Sequence, residues 1–527
     1  MVDVPSSAYD YYAGLNEPLL NAVPSESTVI VEVGCANGRL GAALKLDRPD
    51  RTVIGLERDN QAAAIASKNL DKVIIIDVDI EMPTIERSSV DCVVFGDVLE
   101  HLLDPLPLLR AARVWLKPDG VIVCSIPNIA HTSVLRQIFR GDFQYQAAGI
   151  LDRTHLRFYT YATIMKMMLE TGFAPSFSDV IELRDDAVVA AAGPLLDAFE
   201  VGESQALRHL NAYQYIVTAT PLPFMDDVVD FQDQSPISFV ACVNDTDQLK
   251  SNLLASPCLG PGTPHEVLLY EGMGSAAEGL NRGLREAKNE TIVFVHQDVF
   301  LPSWWPAQLA LQWSKAENSG GRIDVAGAFG VRYREGGRTH VGRVIDRDRM
   351  LAMDIELPAD VDGLDELLIV VKKQTPLRFE PAVGWHLYGT DLALQAHVAG
   401  LRTVVLDLPC HHNSLLKEFG GAYRYSESVL ARKWPTELPI VTNSSTIDQD
   451  PLAADFSAKL EEQRQTTARE LEEQRKTITR ELEEQRQKAV LLEKKLAKRN
   501  ARIAAMEASR SWRLNRLLNR FRNKISG

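Results

Sequence analysis

The sequence predicts two consecutive α/β domains followed by one long α-helix. Three observations carry that reading. The chain has 527 residues, too many for one core, since domains run to about 100–200 residues. Short β-branched apolar runs alternate with helical stretches through residues 1–220 and again through 237–445. From Leu452 to Ser526 there is neither Pro nor Gly, and Glu, Gln, Arg and Lys dominate. Between the two α/β regions, residues 221–236 are rich in Pro and Asp and read as a linker.

Composition excludes several classes. An apolar fraction of 45% and a charged fraction of 24% are globular values, not those of a disordered or collagen-like chain. The net charge is −14, but the last 19 residues, Ser509 to Gly527, carry five Arg, one Lys and no acid. The tail is therefore +6 and the rest −20. An acidic body argues against nucleic acid as a partner. Cys35, Cys92, Cys124, Cys242, Cys258 and Cys410 form no C-x-x-C, so neither a zinc ribbon nor a disulfide framework is expected, and a reducing cytoplasm fits. The start of the chain lacks a basic and then apolar leader, and no run of about 18 apolar residues offers a membrane span.

In the first domain, Thr28 to Val33 (TVIVEV) reads as a buried strand that runs into Gly34-Cys-Ala36-Asn-Gly38 and a helix. This is the strand–glycine-loop–helix of a Rossmann-like nucleotide-binding unit, in which glycines let backbone approach the ligand. A second strand, Arg51 to Glu57, ends in an acid placed for ribose hydroxyls. A third, Lys72 to Asp79, ends in Asp77 and Asp79. Asp91–Asp97 and Gly120–Pro127 are the fourth and fifth. The loop is G-x-A-x-G rather than G-x-G-x-x-G, no Y-x-x-x-K pair is present for a short-chain reductase or epimerase, and no Gly-Lys dipeptide exists for a P-loop.

The segments EVGCANG, GLERD, DCVVFGDVLEHL, LKPDG and SIPN, in this order across residues 8–220, resemble a class I S-adenosylmethionine-dependent methyltransferase of the UbiE/UbiG-like type. The resemblance implies that Glu32, Gly34, Ala36 and Gly38 line the methionine end of the cofactor. It places Glu57 on the ribose, Asp79 and Ile80 at the adenine, and Asp97 beside the methyl group. Ala36 stands where many relatives have glycine. Methyl transfer is an in-line displacement, and a hydroxyl acceptor also needs a base. His101, His131 and His155 are the candidates, with His155 preferred because Arg153 and Arg157 flank it. Taken singly, each of them reads first as a structural or capping histidine.

The second domain opens with a strand, Ser238 to Val243, that stops at Asn244-Asp245. Glu266–Tyr270 is a second strand, Glu278–Lys288 a helix, and Thr291–Val295 an apolar strand stopped by His296-Gln297-Asp298. An acid at the carboxyl end of a parallel strand suits a divalent cation and a diphosphate. The order resembles a GT-A glycosyltransferase of the family 2 type over residues 237–440. By that resemblance Asn244, Asp245, Asn281 and Asp298 bind the nucleotide-sugar donor, and Asp298 and His412 hold a Mn or Mg ion. Asp391, in WHLYGTD, would be the general base of an inverting transfer. His296 replaces the first acid of D-x-D, and Asp365 is a candidate to orient the acceptor.

The long helix repeats LEEQR at Leu460, Leu471 and Leu482, a period of 11. Leu492, Leu496, Ile503 and Met506 then follow a period of seven. Both patterns build an apolar seam, so a coiled coil over 453–508 and a homo-oligomer, dimer or trimer, are expected. Residues 509–527 form an amphipathic basic helix, with Leu514, Leu517, Leu518, Phe521 and Ile525 on one stripe. That profile fits an anionic membrane surface. Taken together, the resemblances imply a cytoplasmic enzyme, peripheral on the inner face of the membrane. It would methylate a hydroxyl and add a sugar to a lipid-linked glycan, like bacterial O-antigen chain terminators. The alternative is a methyltransferase whose second domain only binds glycan, the coiled coil acting as a scaffold.

Overall fold

The computed structural model describes residues 15–184, 193, 209–229, 231, 235–334, 337–347, 349–353, 355–414, 420–451 and 456–525. The first domain is built on β1 (Val29–Val33), β2 (Thr52–Glu57), β3 (Lys72–Ile75), β4 (Val90–Gly96), β5 (Leu116–Pro127), β6 (Phe173–Glu182) and β7 (Ala212–Pro221). Their order across the sheet is β3-β2-β1-β4-β5-β7-β6. β1 to β5 run parallel and β7 antiparallel to both neighbours. β1 and β4 are near-continuous apolar runs because helices cover both faces of a parallel sheet. The carboxyl ends of β1, β2 and β4 therefore lie side by side, where the glycine loop, Glu57 and Asp97 emerge.

Two elements differ from the sequence expectation. β3 stops at Ile75, because Asp77 folds the chain into a turn: its side chain accepts from Asp79 N at 3.1 Å and its carbonyl from Ile80 N at 3.0 Å. The segment 221–236 is not a free linker over its first half. A helix forms over Met225–Val229, and Leu222, Phe224, Met225 and Val228 are buried. The Pro and Asp content reads as loop, yet its apolar positions pack into the core.

The second domain carries β8 (Ile237–Val243), β9 (Glu266–Glu271), β10 (Thr291–Val295), β11 (Val299–Phe300), β12 (Val325–Gly327), β13 (Phe329–Arg334), β14 (Gly337–Asp346), β15 (Arg349–Ala352), β16 (Ala359–Asp360), β17 (Gly363–Leu364), β18 (Leu368–Lys372), β19 (Thr403–Val405) and β20 (His411–His412). The larger sheet has the order β16-β19-β12-β18-β10-β8-β9. A smaller one runs β11-β20-β14-β13-β17, with β15 on β14. The pairing of β11 with β20, Val299 against His412, brings His412 beside the end of β10.

Both domains belong to one compact unit. A single apolar core contains Phe95, Leu169 and Phe224 of the first part with Trp304 and Trp305 of the second. Polar contacts lock the same face. Trp304 Nε1 donates to the Leu169 carbonyl at 3.1 Å, and the Glu170 carboxylate accepts from Ser303 N and Oγ at 2.8 and 2.6 Å.

The remaining described residues form a separate unit. A helix spans Phe456–Ala508 and a second spans Arg510–Ile525. At 1.5 Å per residue the first is about 80 Å long. Leu471, Ile478, Leu482, Leu492, Leu496, Ile503 and Met506 are exposed along it, as are Leu514, Leu517, Leu518 and Phe521 on the second. The side chains of Leu460 and Ile525 lie outside the described residues. The sequence predicts one continuous helix, but the chain is interrupted at Ser509, whose Oγ accepts from Trp512 N at 3.2 Å and caps the basic helix. No helix among the described residues is long and apolar enough to cross a membrane.

Candidate functional sites

The glycine loop is shaped by backbone that L-residues avoid. Gly34 has φ +65°, and a Cβ there would meet Val98 Cγ2 at 2.6 Å, so glycine is required. Ala36 holds φ +46° despite its methyl group, fixed by its amide donating to Glu57 Oε2 at 2.8 Å. Gly38, at φ +74°, starts the following helix. Glu32 is buried under the loop and accepts from Gly41 N at 3.1 Å. Burial, with Glu57 nearby, pushes its carboxyl up to about 8. Glu32 thus holds the start of the helix through Gly41, and Glu57 holds the loop through Ala36.

Asp79 and Ile80 sit past the end of β3. Asp79 Oδ1 accepts from Leu103 N at 3.0 Å, tying this turn to the chain beyond β4. Ile80 is 85% exposed and Leu103 65%, an open apolar rim beside a carboxylate that suits a purine ring. Asp97, at φ +55°, ends β4 with its carboxylate accepting from Ser125 Oγ and Gln214 Nε2. Sequence reasoning missed Ser125 and Gln214, which come from β5 and β7 and join the site only through the sheet order.

Beside Asp97, Glu100, His101 and His155 converge, with donor atoms within 4.8 Å of one another. His155 Nδ1 donates to the Ile150 carbonyl at 2.9 Å, which leaves the Nε2 lone pair facing Glu100 Oε1 at 4.0 Å. Neither carboxyl oxygen of Glu100 has a hydrogen-bond partner among the described residues. Burial, then Asp97, raises that carboxyl well above its ordinary value, and burial lowers His155. A buried acid facing a neutral imidazole can hold or pass one proton. His131 is placed differently: it caps the helix Thr132–Phe139 through Ser133 N, and its Nε2 meets the Leu183 carbonyl at 2.9 Å.

In the second domain the structure gathers His296, Asp298 and His412, again with donor atoms within 4.8 Å. His412 Nε2 lies 3.5 Å and His296 Nδ1 4.0 Å from Asp298 Oδ1, while His412 Nδ1 lies 3.0 Å from Asp346 Oδ1. Asp298 Oδ1 is buried and makes no hydrogen bond among the described residues. Burial works to raise Asp298, but the two imidazoles outweigh it and hold the carboxyl at about 2. Burial works to lower His412, but Asp298 and Asp346 raise it to about 10. His296, Asp298 and His412 together offer one carboxylate oxygen and two imidazole nitrogens to a divalent cation, which would take the place of the proton that His412 holds between Asp298 and Asp346. His296, which takes the place of an acid in the family motif, is thereby the third candidate ligand.

The other expected donor and catalytic groups are engaged elsewhere. Asp245 caps the helix Thr246–Ser251, accepting from Asp247 N and Gln248 N. Asn244 N and Asp245 N both donate to Gln297 Oε1, at 2.9 and 3.1 Å, so the middle residue of His-Gln-Asp holds this turn. The Asn281 amide is paired on both sides with the backbone of Phe379. Asp391 differs most from expectation. It is fully buried, and its carboxylate accepts from Lys433 Nζ at 2.9 Å, Trp434 Nε1 at 2.8 Å and Gln395 Nε2 at 2.7 Å. The three donors close off this carboxylate, which ties the helix Tyr388–Val398 to the helix Gly421–Lys433.

Comparison with known proteins divides the chain at the same place. Residues 9–175 match the family described as methyltransferase domain, and residues 238–433 the glycosyltransferase like family. A ubiquinone biosynthesis O-methyltransferase of Psychrobacter arcticus is 28% identical over 193 residues, 35% of this chain and 70% of that protein. An uncharacterized protein of a Streptomyces fradiae transposon is 32% identical over 113 residues, 21% of this chain and only 32% of that protein. Among solved structures, a possible histamine N-methyltransferase of Thermotoga maritima aligns at 16% identity with a TM-score of 0.29, over 40% of this chain and 92% of that one. An S-adenosylmethionine-dependent methyltransferase of Archaeoglobus fulgidus aligns at 16% identity with a TM-score of 0.29, over 41% of this chain and 100% of that one. The chain therefore carries a domain similar to methyltransferases over residues 9–175 and one similar to the glycosyltransferase like family over residues 238–433, two transferase-like parts that support an enzyme.

Proposed function

We propose that the protein modifies one glycan with two transfers, a methyl group to a hydroxyl and a sugar from a nucleotide sugar. The observation that carries this is the placement of both clusters in one compact unit, Glu100–His155 beside the cofactor loop and His296–Asp298–His412 in the adjoining domain. S-adenosylmethionine, when bound, supplies an electrophilic methyl carbon. Glu32, the Gly34–Gly38 loop and Glu57 hold its amino-acid and ribose ends, and Asp79 and Ile80 border the adenine. His155 Nε2 takes the acceptor proton on the side that faces Glu100 Oε1, while its Nδ1–H stays on the Ile150 carbonyl. In the second domain His296, Asp298 and His412 would hold a divalent cation, which would neutralise the diphosphate of the donor.

The substrate class is a lipid-linked bacterial surface glycan of the O-antigen kind, with methylation closing the growing end. The exposed seam of the helix Phe456–Ala508 supports a coiled-coil oligomer. The basic helix Arg510–Ile525, with an exposed Leu and Phe stripe, supports attachment to an anionic membrane at the inner face. Enclosure of Asp391 favours a second reading, in which the second domain binds glycan without transferring sugar. The test is mass spectrometry of surface glycan from the native host carrying Glu32→Ala or Asp298→Asn. Loss of a methyl group with longer chains in the first supports termination. Unchanged methylation and chain length refute it. Unaltered sugar composition with Asp298→Asn supports the second reading.

A further inference from the structure

The helix Tyr161–Glu170 belongs to the methyltransferase domain, yet its first residue reaches into the second site. Tyr161 Oη donates to Asn413 Oδ1 at 3.1 Å. Asn413 directly follows His412, and its amide donates to the Asp298 carbonyl at 2.9 Å. Asn413 Nδ2 lies 3.4 Å from Asn252 Oδ1, so this side chain is held from two sides. Asn413 thus bridges the backbones of two of the three candidate ligands, and the phenol of Tyr161 fixes its side-chain rotamer.

On its own side Tyr161 is held firmly. Its ring stacks on His209 at 3.9 Å with planes 3° apart, and His209 Nδ1 meets Tyr215 Oη of β7 at 2.9 Å. The His209 carbonyl accepts from Asn128 Nδ2 at 2.7 Å, at the end of β5. A pre-oriented hydroxyl loses little freedom on making its bond, so more of that bond's strength is expressed. The same short stretch of chain, residues 155–161, begins at the His155 base. The first domain's acceptor side and the second domain's ligand strand are therefore joined through seven residues.

We propose that Tyr161 is a positioning residue for the glycosyltransferase-like site, so that His412 and Asp298 take their geometry from the docked methyltransferase domain. This rests on the cation reading above for one of its two tests only. In the full-length protein without metal, Tyr161→Phe should raise hydrogen–deuterium exchange in the peptide spanning His411 to Asn413 and leave the peptide spanning Val29 to Gly38 unchanged. By titration calorimetry with Mn²⁺ alone, Tyr161→Phe should weaken binding about five-fold, the effect of one lost hydrogen bond, with S-adenosylmethionine affinity unchanged. Asn413→Ala should weaken it similarly, and the double variant no further than either single one. Glu170→Gln loosens the same interface away from the ligands and should leave Mn²⁺ affinity near that of the wild type.

Unchanged exchange at His411–Asn413 in Tyr161→Phe overturns the proposal. So does an equal Mn²⁺ loss in Glu170→Gln, because docking in general would then be responsible. A wild-type protein that binds no Mn²⁺ removes the cation reading, and the exchange result still decides on Tyr161.

Discussion

Replacing Asp391 separates an anchor from a catalytic base. The carboxylate is fully buried and carries three donors, of which Lys433 also lies 3.3 Å from Glu380. Breaking a buried ion pair by removing one partner costs about 3–5 kcal/mol. Lys433 keeps Glu380 and is partly open to water, which reduces that figure. The Trp434 and Gln395 donors each lose a hydrogen bond worth about 1 kcal/mol. Asp391→Ala should therefore destabilise the second domain by about 2–4 kcal/mol, with Asp391→Asn intermediate because its amide oxygen still accepts from Trp434. Equilibrium urea unfolding followed by tryptophan fluorescence reads this directly. A variant within about 0.5 kcal/mol of wild type that has lost all sugar transfer would refute the anchor argument and restore Asp391 as the base.

Three further outcomes follow from the same physical reasoning. Ala36→Gly relieves a positive φ in the cofactor loop and should stabilise the protein by about 0.5–1 kcal/mol, read by urea unfolding; a destabilised variant would contradict the strain argument. The Glu32 carboxyl is raised from 4.5 to about 8, so the folded state holds that proton more tightly than the unfolded one. Its contribution is complete below about pH 4.5 and fades as pH rises toward 8, by at most about 5 kcal/mol at 1.36 kcal/mol per unit. Cofactor-free Glu32→Gln should gain stability on the wild type between pH 5 and 8, and parallel pH curves would show that Glu32 is not buried as described. Deleting residues from Ser509 onward should free the protein from anionic liposomes without weakening S-adenosylmethionine binding, and residual binding should be sought in another surface.

The first site was largely legible in the sequence because its chemistry is local. Glu32, the Gly34–Gly38 loop and Glu57 lie at strand ends, and parallel order places those ends together. Ser125 reaches Asp97 through the pairing of β5 with β4, Gly96 against Ser125, and Gln214 only through the insertion of β7 beside β5, so neither was legible. The same holds for Glu100, whose role depends on His155 arriving from 55 residues downstream. In the second domain Asp298 and His412 read correctly as neighbours, while His296 looked like a lost acid and instead faces the same oxygen. For Asp391 and Asn281, family spacing fixes a residue's place on a helix but not which way its side chain turns. Lys433, Trp434 and Phe379 decide that, and they lie 42, 43 and 98 residues away. The linker reading failed at Phe224, whose ring packs on Trp304 at 5.5 Å.

The claim that both transfers act on one glycan is tested most directly by the intact mass of a defined lipid-linked acceptor. It would be incubated with the full-length protein, S-adenosylmethionine, Mn²⁺ and a panel of nucleotide sugars. The account predicts one product carrying both an added sugar and an added methyl group, the sugar lost with Asp298→Asn and the methyl lost with Glu32→Ala. A methyl group without sugar under every donor, unaffected by Asp298→Asn, would contradict it.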